Sequence, residues 1–315
     1  MTEVLPGITL IDTEMGGRTE VTSAYLVAAD QPALIETGPT ACLPRVAQAL
    51  DRLGIGPDDL AHVVATHIHI DHAGGAGAYA DRFPRATIWV HERGLRHLID
   101  PKKLEASAKR VFGEDHMRTV FGPVHPLAAD RGRATGHGDR ISLGDRTLRI
   151  VHAPGHAMHH QFVVDERTGA LFSGDGLGVY LPGADVLRPA TPPPDFDVEA
   201  AVASIRVARD LEPPAVLFSH FGPREDVRVV CDLAIERTKR WASIVEDALR
   251  RTDDLDEVAR ILMERTLDEI EADDRRPKSI DDRYDLLTTY RTNAAGLVRY
   301  FTKVREAGRG LTETR

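Results

Sequence analysis

A short segment near residue 70 concentrates side chains that bind metal ions. From Thr66 to Gly75 the sequence reads THIHIDHAGG, with three histidines and one aspartate within six positions. Imidazole nitrogens and carboxylate oxygens are ligands for zinc and related divalent ions. In an extended segment, positions 67, 69 and 71 point to one side, while His72 requires a turn that the adjacent glycines allow. The segment predicts two ligand sets at one strand end, enough for two metal ions: His67, His69, Asp71 and His72.

Three further residues of ligand type follow apolar segments in the same way. Each comes after a short segment of strand composition and is accompanied by glycine: His156, Asp175 and His220. Any one of these patterns is weak. Together with the first cluster they predict that several strand ends converge on one cleft, which is where open α/β sheets bind ligands.

The elements around these residues alternate between strands and helices. Segments 8–12, 21–29 and 33–37 have strand composition, and segment 41–53 has the apolar spacing of a helix. A strand at 62–66 then leads into the histidine cluster. The alternation predicts an α/β fold in which helices cover layered sheets.

Residues 93–140 depart from this alternation. The stretch contains prolines, glycines, mixed charges and scattered histidines, with one expected helix near 102–112. A long irregular connection in a compact domain is often a lid or a binding loop. We therefore predict a lid-like insertion at 93–140.

The chain changes character again from about residue 225. Segments 226–250, 254–270 and 281–306 are charged and helical in period, and a charged run before a proline predicts a linker near 272–280. We therefore divide the chain into a catalytic domain, 1–225, and a helical extension, 226–315, that packs on the core.

The composition excludes several classes of protein. The 315 residues carry a formal net charge of −9, which disfavours a nucleic-acid binder. No apolar run approaches a membrane span, and the N-terminus lacks the pattern of a signal peptide. Cys42 and Cys231 lie in no CxxC pattern and are expected to be buried thiols. We predict a cytoplasmic protein that acts on a small molecule and binds neither nucleic acid nor membrane; a homodimer is compatible with the sequence.

The complete set of ligand-type residues, in its order along the chain, resembles that of the metallo-β-lactamase-fold hydrolases, and the spacing of His156 and His160 resembles the glyoxalase II-like subgroup. The resemblance covers roughly residues 1–225 and all seven ligand positions. It implies a four-layer αββα sandwich with metals at one edge of the two sheets, and here a C-terminal helical extension follows. It also implies that the first metal is bound by His67, His69 and His156, the second by Asp71, His72 and His220, and that Asp175 bridges them.

The resemblance further implies a reaction. The two divalent ions are expected to be zinc, with iron or manganese as alternatives. A water that bridges two metals loses its proton near neutral pH and becomes the nucleophile, and Asp71 is the catalytic residue that orients this hydroxide. His160 is expected to hydrogen-bond a ligand or the substrate. Glu36, which stands where the family usually has Asp, and Tyr180, placed to polarise a leaving group, are further candidates.

Several reactions remain open at this point. A β-lactam substrate is disfavoured, because the family's β-lactamases generally lack either the histidine at the position of His72 or the bridging aspartate. The first hypothesis is hydrolysis of a small thioester, ester or lactone. The alternatives are a phosphodiesterase or phosphotriesterase-type hydrolase, a mononuclear-iron persulfide dioxygenase and a non-catalytic metal-bound scaffold. A Ser-His-Asp hydrolase built on Ser173 or Ser219 ranks below these, because neither serine lies in a GxSxG motif.

Overall fold

Two β-sheets packed face to face form the centre of the molecule. The computed structural model describes residues 1–182, 185–271, 286–287 and 289–312. The first sheet has seven strands that are neighbours in chain order: β1 (Thr2–Leu5), β2 (Ile8–Asp12), β3 (Ser23–Val27), β4 (Ala33–Ile35), β5 (His62–Val64), β6 (Thr87–His91) and β7 (Gly132–Thr135). The second sheet contains β8 (Arg140–Ser142), β9 (Thr147–His152), β10 (Gln161–Asp165), β11 (Leu171–Gly174), β14 (Val216–Phe218) and β15 (Gly222–Arg224). Its spatial order is β15-β14-β11-β10-β9-β8, and β12 (Val179–Leu181) pairs separately with β13 (Val186–Arg188).

Helices cover both outer faces of this pair of sheets. Within the described ranges they are α1 (Leu43–Arg52), α2 (Ile70–Ala73), α3 (Ala76–Arg82), α4 (Glu92–Ile99), α5 (Lys102–Phe112), α6 (Glu114–His116), α7 (Val198–Asp210), α8 (Val227–Ala248), α9 (Leu255–Arg265), α10 (Asp268–Glu271) and α11 (Tyr290–Thr312). No helix of the described residues is long and apolar enough to cross a membrane.

The layers follow from the alternation of side chains along each strand. In β5, Val63 packs under the helices of the first face, whereas Val64 points between the two sheets. In β9, Ile150 points between the sheets and Val151 packs towards α7 and α8. Apolar side chains thus fill three successive layers, and the predicted αββα order is confirmed.

The prediction that residues 93–140 form an irregular connection is wrong. The stretch contains α4, α5 and α6, and it supplies β7, the seventh strand of the first sheet. The predicted helix near 102–112 is confirmed by α5. The pattern was weak because these helices bury few side chains: α4 buries only Gly94 and Leu98, and α5 only Ala108.

The C-terminal region packs against the sandwich and on itself. The first half of α8 joins the layer over the second sheet, and its second half packs around Trp241 with α9 and α11. The predicted helix over 254–270 is two helices, α9 and α10. The predicted linker at 272–280 lies outside the described residues, and the division into 1–225 and 226–315 stays a prediction. The expected burial of both free cysteines is confirmed.

Candidate metal centre

The predicted ligands meet at one edge of the sandwich, beyond the ends of β5, β11 and β14. The expectation of an extended chain through the first cluster is wrong, because β5 already ends at Val64 and residues Ile70–Ala73 form a helical turn. Asp71 and His72 are therefore consecutive residues of α2, and the loop before it carries His67 and His69.

Three histidine rings converge on one point and are called here the histidine group: His67, His69 and His156. Nε2 of His67 lies 3.0 Å from Nδ1 of His69, and Nε2 of His156 lies 2.9 Å from the same Nδ1 atom. Ligand atoms in a tetrahedron around zinc, with bonds of about 2.0–2.1 Å, are separated by roughly 3.3 Å. The three nitrogens therefore lie close to the spacing that one ion requires, and the group can hold one.

A second set, called here the mixed group, contains one carboxylate: Asp71, His72 and His220. Nε2 of His220 lies 3.1 Å from Nε2 of His72. Oδ2 of Asp71 lies 3.4 Å from the His220 nitrogen and 3.5 Å from the His72 nitrogen. These separations also suit a single ion.

Asp175 lies between the two groups. Its Oδ1 atom is 3.3 Å from Nε2 of His72 and 3.4 Å from Nε2 of His220, whereas its Oδ2 atom is 3.6 Å from Nε2 of His156. Among the described residues Oδ1 is buried without a hydrogen-bond partner. A buried carboxylate oxygen without a donor is costly, and a cation beside it would remove that cost. The residues therefore fit two divalent ions, one in each group.

Outer contacts fix which ring nitrogen faces the centre. Nδ1 of His156 donates to the carbonyl of Ala190 at 3.0 Å, and Nδ1 of His220 donates to the carbonyl of Val21 at 2.9 Å. In the neutral form of each ring, this contact leaves Nε2 as the nitrogen that can bind a metal.

Glu36 lies directly behind the mixed group and reaches the histidine group only through Thr66. Its Oε1 atom lies 3.3 Å from Nδ1 of His72 and accepts a hydrogen bond from the Ser219 hydroxyl at 2.9 Å. The Thr66 hydroxyl also donates to Oε1, and its oxygen lies 3.0 Å from Nδ1 of His67. The longer side chain of glutamate thus reaches the ligands. It meets the outer nitrogen of His72, so its position is that of a supporting group.

The two groups ionise differently. Burial, with help from neighbouring imidazoles, lowers the pKa of each ring in the histidine group, which keeps these rings neutral. Burial acts against charge in the mixed group as well, but nearby carboxylates outweigh it. They raise the pKa of His72 well above its usual value and raise that of His220. In return, and against the effect of burial, His72 and His220 hold the pKa of Asp71 well below its usual value.

His160 acts on the backbone of Asp175. Its Nδ1 donates to the carbonyl of Ala153 at 3.1 Å, and its Nε2 accepts from the backbone N–H of Asp175 at 3.2 Å. Gly174 makes this approach possible: a Cβ atom there would lie 2.6 Å from Nε2 of His160, and its φ of +50° is one that other residues rarely adopt. His160 therefore orients Asp175.

Tyr180 lies on β12 beside the mixed group. Its hydroxyl donates to Asp185 at 3.1 Å, and the guanidinium carbon of Arg224 lies 4.8 Å from its ring centre. Its backbone pairs with residues 220 and 221. The described residues that line the cavity beside the ligands do not include Tyr180, and its contact with substrate stays a prediction.

His159 was not predicted as a site residue, although it lines this cavity. Its ring lies parallel to that of His67 at 6.2 Å, and Nδ1 lies 3.5 Å from the backbone N–H of Ile68. Burial, with a smaller contribution from the neighbouring His156 imidazole, lowers its pKa to about 3. The signal was the run of histidines after His156, from which only His160 was selected.

A cavity of about 250 Å³ opens directly onto the ligands. Its walls come from three segments: α5, the proline run at 192–194, and the C-terminal region through Leu287 and Thr292. Side chains on the α5 wall are largely apolar, including Leu104, Ala108 and Val111. Part of the 93–140 region, α5, thus lines this cavity, and the lid-like role of the region stays a prediction.

A buried hydrogen-bond pair fastens α11 to this cavity. Asn293 Oδ1 accepts from the backbone N–H of Thr191 at 2.7 Å, and the Thr191 hydroxyl donates to the backbone carbonyl of Asn293 at 3.0 Å. Thr191 lies between Ala190, whose carbonyl holds His156, and the proline run. The C-terminal helix thus supports a ligand and a wall together.

Comparison with known proteins agrees with this geometry. The model of the metallo-beta-lactamase superfamily matches residues 17–220, and the chain belongs to that superfamily. A crystal structure of the archaeal superfamily protein ST1585 from Sulfolobus tokodaii has the same fold, with a TM-score of 0.66 over 92% of this chain and 98% of its own at 22% identity.

Proteins related in sequence include enzymes named for different activities. Metallo-beta-lactamase fold-containing protein ST1585 of Sulfurisphaera tokodaii is 33% identical over 170 residues, 52% of this chain and 62% of its own. Acyl-coenzyme A thioesterase MBLAC2 of Gallus gallus is 34% identical over 131 residues, 39% of this chain and 43% of its own. An N-acyl homoserine lactonase of Bacillus thuringiensis is 25% identical over 185 residues, 56% of this chain and 62% of its own. The chain therefore spans less than two thirds of each of these relatives.

Proposed function

We propose that this protein is a metal-dependent hydrolase of a small acyl thioester or lactone. It would use two divalent metal ions, and zinc is the metal that we expect. The proposal rests on the position of Asp175. One of its carboxylate oxygens faces the mixed group and the other faces the histidine group, and both groups border an apolar cavity. Relatives named as a thioesterase and as lactonases support the choice of bond. Membership of the glyoxalase II-like subgroup is part of the same proposal, as are a cytoplasmic location and a homodimer.

The histidine group would hold one ion and the mixed group the other. When bound, such ions supply a water of lowered pKa and a Lewis acid for the scissile carbonyl. An imidazole nitrogen must be unprotonated to bind a metal. The rings of the histidine group are already neutral, so they need not lose a proton first.

Asp71 is the residue that we assign to the reacting water. It lines the cavity as well as belonging to the mixed group, so its carboxylate can accept a hydrogen bond from the water and aim it at the carbonyl. Its pKa lies well below the usual value, against the effect of burial, because of His72 and His220. The carboxylate therefore remains an acceptor at neutral pH.

The cavity accounts for the acyl part of the substrate. Ile68 and Ile70 flank the ligands, and Leu104, Ala108 and Val111 continue the wall along one face of α5. Residues spaced by three or four positions share a helix face, so this wall is continuous. An apolar acyl chain in contact with it leaves water and displaces solvent from the reaction site.

Hydrolysis by the purified, zinc-loaded protein tests the proposal. The panel contains acyl thioesters, N-acyl lactones and a phosphodiester, with oxygen uptake on a glutathione persulfide as the test of the dioxygenase alternative. We expect hydrolysis of a thioester or lactone, loss of activity with a chelator and recovery on adding metal. Asp71→Asn lowers kcat by roughly 10²–10⁴-fold.

The matched control is His125→Ala, which removes an exposed histidine that does not line the cavity and leaves activity unchanged. Phosphodiester cleavage or oxygen uptake alone would contradict the choice of bond. A metal-loaded protein that turns over nothing in the panel would favour the non-catalytic scaffold.

A further inference from the structure

One end of the cavity carries an excess of positive charge in a chain that is acidic overall. The formal net charge of the chain is −9, yet residues 92–112, which contain α4 and α5, have the opposite balance. Their acidic residues are Glu92, Asp100 and Glu105, and their basic residues are Arg93, Arg96, Lys102, Lys103, Lys109 and Arg110. An excess of one sign at the entrance of a cleft attracts ligands of the other sign.

One of these basic residues lies at the cavity itself, and a second is joined to the cavity through a histidine. Lys103 lines it, and so does His97, whose Nε2 atom accepts a hydrogen bond from Nε of Arg96 at 3.2 Å. Burial and the positive charges of Arg96 and Lys103 lower the pKa of His97, so the ring is neutral. Within the described part of the chain, neither Arg96 nor Lys103 has a carboxylate within ion-pair distance. Lys109, in contrast, pairs with Glu105 at 3.0 Å.

The opposite end of the cavity is apolar. Val111 and Phe112 line it at the far end of α5, together with Leu287. Lys103 and Phe112 lie near opposite ends of α5 (Lys102–Phe112) and are separated along its axis by roughly 13 Å, at about 1.5 Å per residue. A substrate with its carbonyl at the ligands can therefore direct an apolar group towards Phe112 and a charged group towards Lys103.

We propose that Arg96 and Lys103 bind a phosphate of the leaving group, so that the substrate is the acyl thioester of a phosphorylated thiol carrier. This inference rests on the proposed function. Guanidinium and ammonium groups form strong charge-assisted hydrogen bonds with phosphate, whereas an N-acyl lactone ring carries no anion for them. Water adds across the C–S bond: the acyl carbon gains the oxygen, and the sulfur leaves as the thiol with one of the protons. Apart from the ligands Asp71 and Asp175, Asp195 is the one carboxylate among the described residues that line the cavity.

Three substrates with one and the same acyl chain test this inference. They are the coenzyme A thioester, which has phosphates; the N-acetylcysteamine thioester, which is uncharged; and the N-acyl homoserine lactone. Steady-state kinetics are measured for wild type, Arg96→Gln and Lys103→Gln. Lys109→Gln is the matched control, because it removes the same charge from the same helix at a residue that does not line the cavity.

We expect each of Arg96→Gln and Lys103→Gln to raise KM for the coenzyme A thioester by roughly tenfold, with kcat nearly unchanged. KM for the uncharged thioester should stay constant in all variants, and added salt should raise KM for the coenzyme A thioester only. Lys109→Gln should behave as wild type. Equal effects on both thioesters, or no effect on either, would overturn the inference.

Binding of free coenzyme A, measured by calorimetry, separates this inference from the proposed function. Weaker binding to Lys103→Gln than to wild type and to Lys109→Gln supports the phosphate site even where no substrate is cleaved. Cleavage of the uncharged thioester with equal coenzyme A binding by all variants would leave the hydrolase standing and refute the phosphate site. A preference for acyl chains with a terminal carboxylate would assign Lys103 to the acyl end and refute it too.

Discussion

The histidine group brings together three imidazoles, whereas the mixed group combines two imidazoles with the carboxylate of Asp71. In the first, burial keeps every ring neutral. In the second, carboxylates overcome burial and favour protonated rings at His72 and His220. Since a metal binds only to unprotonated nitrogen, the histidine group is ready for its ion, while the mixed group must first release protons.

One supporting contact differs in the same sense, although His220 of the mixed group donates to a backbone carbonyl as His156 does. His156, in the histidine group, donates to a backbone carbonyl, and His72, in the mixed group, faces the carboxylate of Glu36. A carboxylate behind an imidazole makes the ring a stronger base and a stronger ligand. The mixed group therefore gains affinity for a metal from charge, and becomes dependent on pH and on Glu36 in return.

The largest effect is expected at Asp175, the residue that faces both groups. Asp175→Ala should remove metal from both and lower kcat/KM by roughly 10²–10⁴-fold, because several kcal/mol of transition-state stabilisation is lost. His69→Ala and His220→Ala should each remove one ion of the two. Metal content per chain, measured by mass spectrometry after dialysis, distinguishes these results. Loss of both ions in either histidine variant would show that the groups do not bind independently.

Glu36→Gln should weaken the mixed group selectively. The amide keeps the size of the side chain and removes the charge behind His72, so affinity for one of the two ions should fall by about 10–100-fold. Competition with a chelating dye resolves two binding constants. Glu166→Gln, an exchange in the turn after β10 at a residue that does not line the cavity, serves as the control. Two constants weakened equally would place Glu36 behind both groups alike.

Lowering the pH should remove metal from the mixed group before it removes metal from the histidine group. The raised pKa values of His72 and His220 mean that protons compete with metal there at a higher pH than at the histidine group, whose pKa values are lowered. As the pH falls, metal content should therefore drop from two ions per chain towards one before the histidine group loses its ion. Equilibrium dialysis at each pH measures this. The His220→Ala variant, which keeps only the histidine group, should show no loss over the same range.

The smallest effect is expected at Asn293, which acts on the histidine group through the loop that holds His156. Asn293→Ala should raise KM by about 2–5-fold with little loss of metal, because the contact is one step removed from the ligand. Asn293→Asp keeps the acceptor for the Thr191 N–H and should restore most of the wild-type KM. A large loss of metal in Asn293→Ala would contradict this order of effects.

Much of the centre could be predicted because each ligand stands at the end of a local apolar pattern. His156, Asp175 and His220 each follow a strand that the sequence reveals, and the order of residue types along the chain carries the rest. The geometry within the first cluster could not be predicted from alternation, because the chain after Val64 leaves the strand and enters a helical turn.

The shape of the cavity could not be predicted from the sequence for a different reason. The helix near 102–112 was predicted, but its role depends on which of its faces lies towards the ligands, and that is set by packing between distant segments. The importance of Asn293 follows from a contact with Thr191, over a hundred positions away in the chain. Such residues carry no local pattern, since their partners are set by packing between distant segments.

The walls of the cavity come from α5, the proline run and the C-terminal helix, and none of these segments contains any of the seven predicted ligands. The ligand groups and the cavity walls are thus encoded in separate stretches of the sequence. A designer could graft a different α5 or C-terminal helix onto the same ligand groups and, if the proposed function holds, screen for new substrate preferences. The Thr191–Asn293 pair marks the junction that such a chimera must preserve.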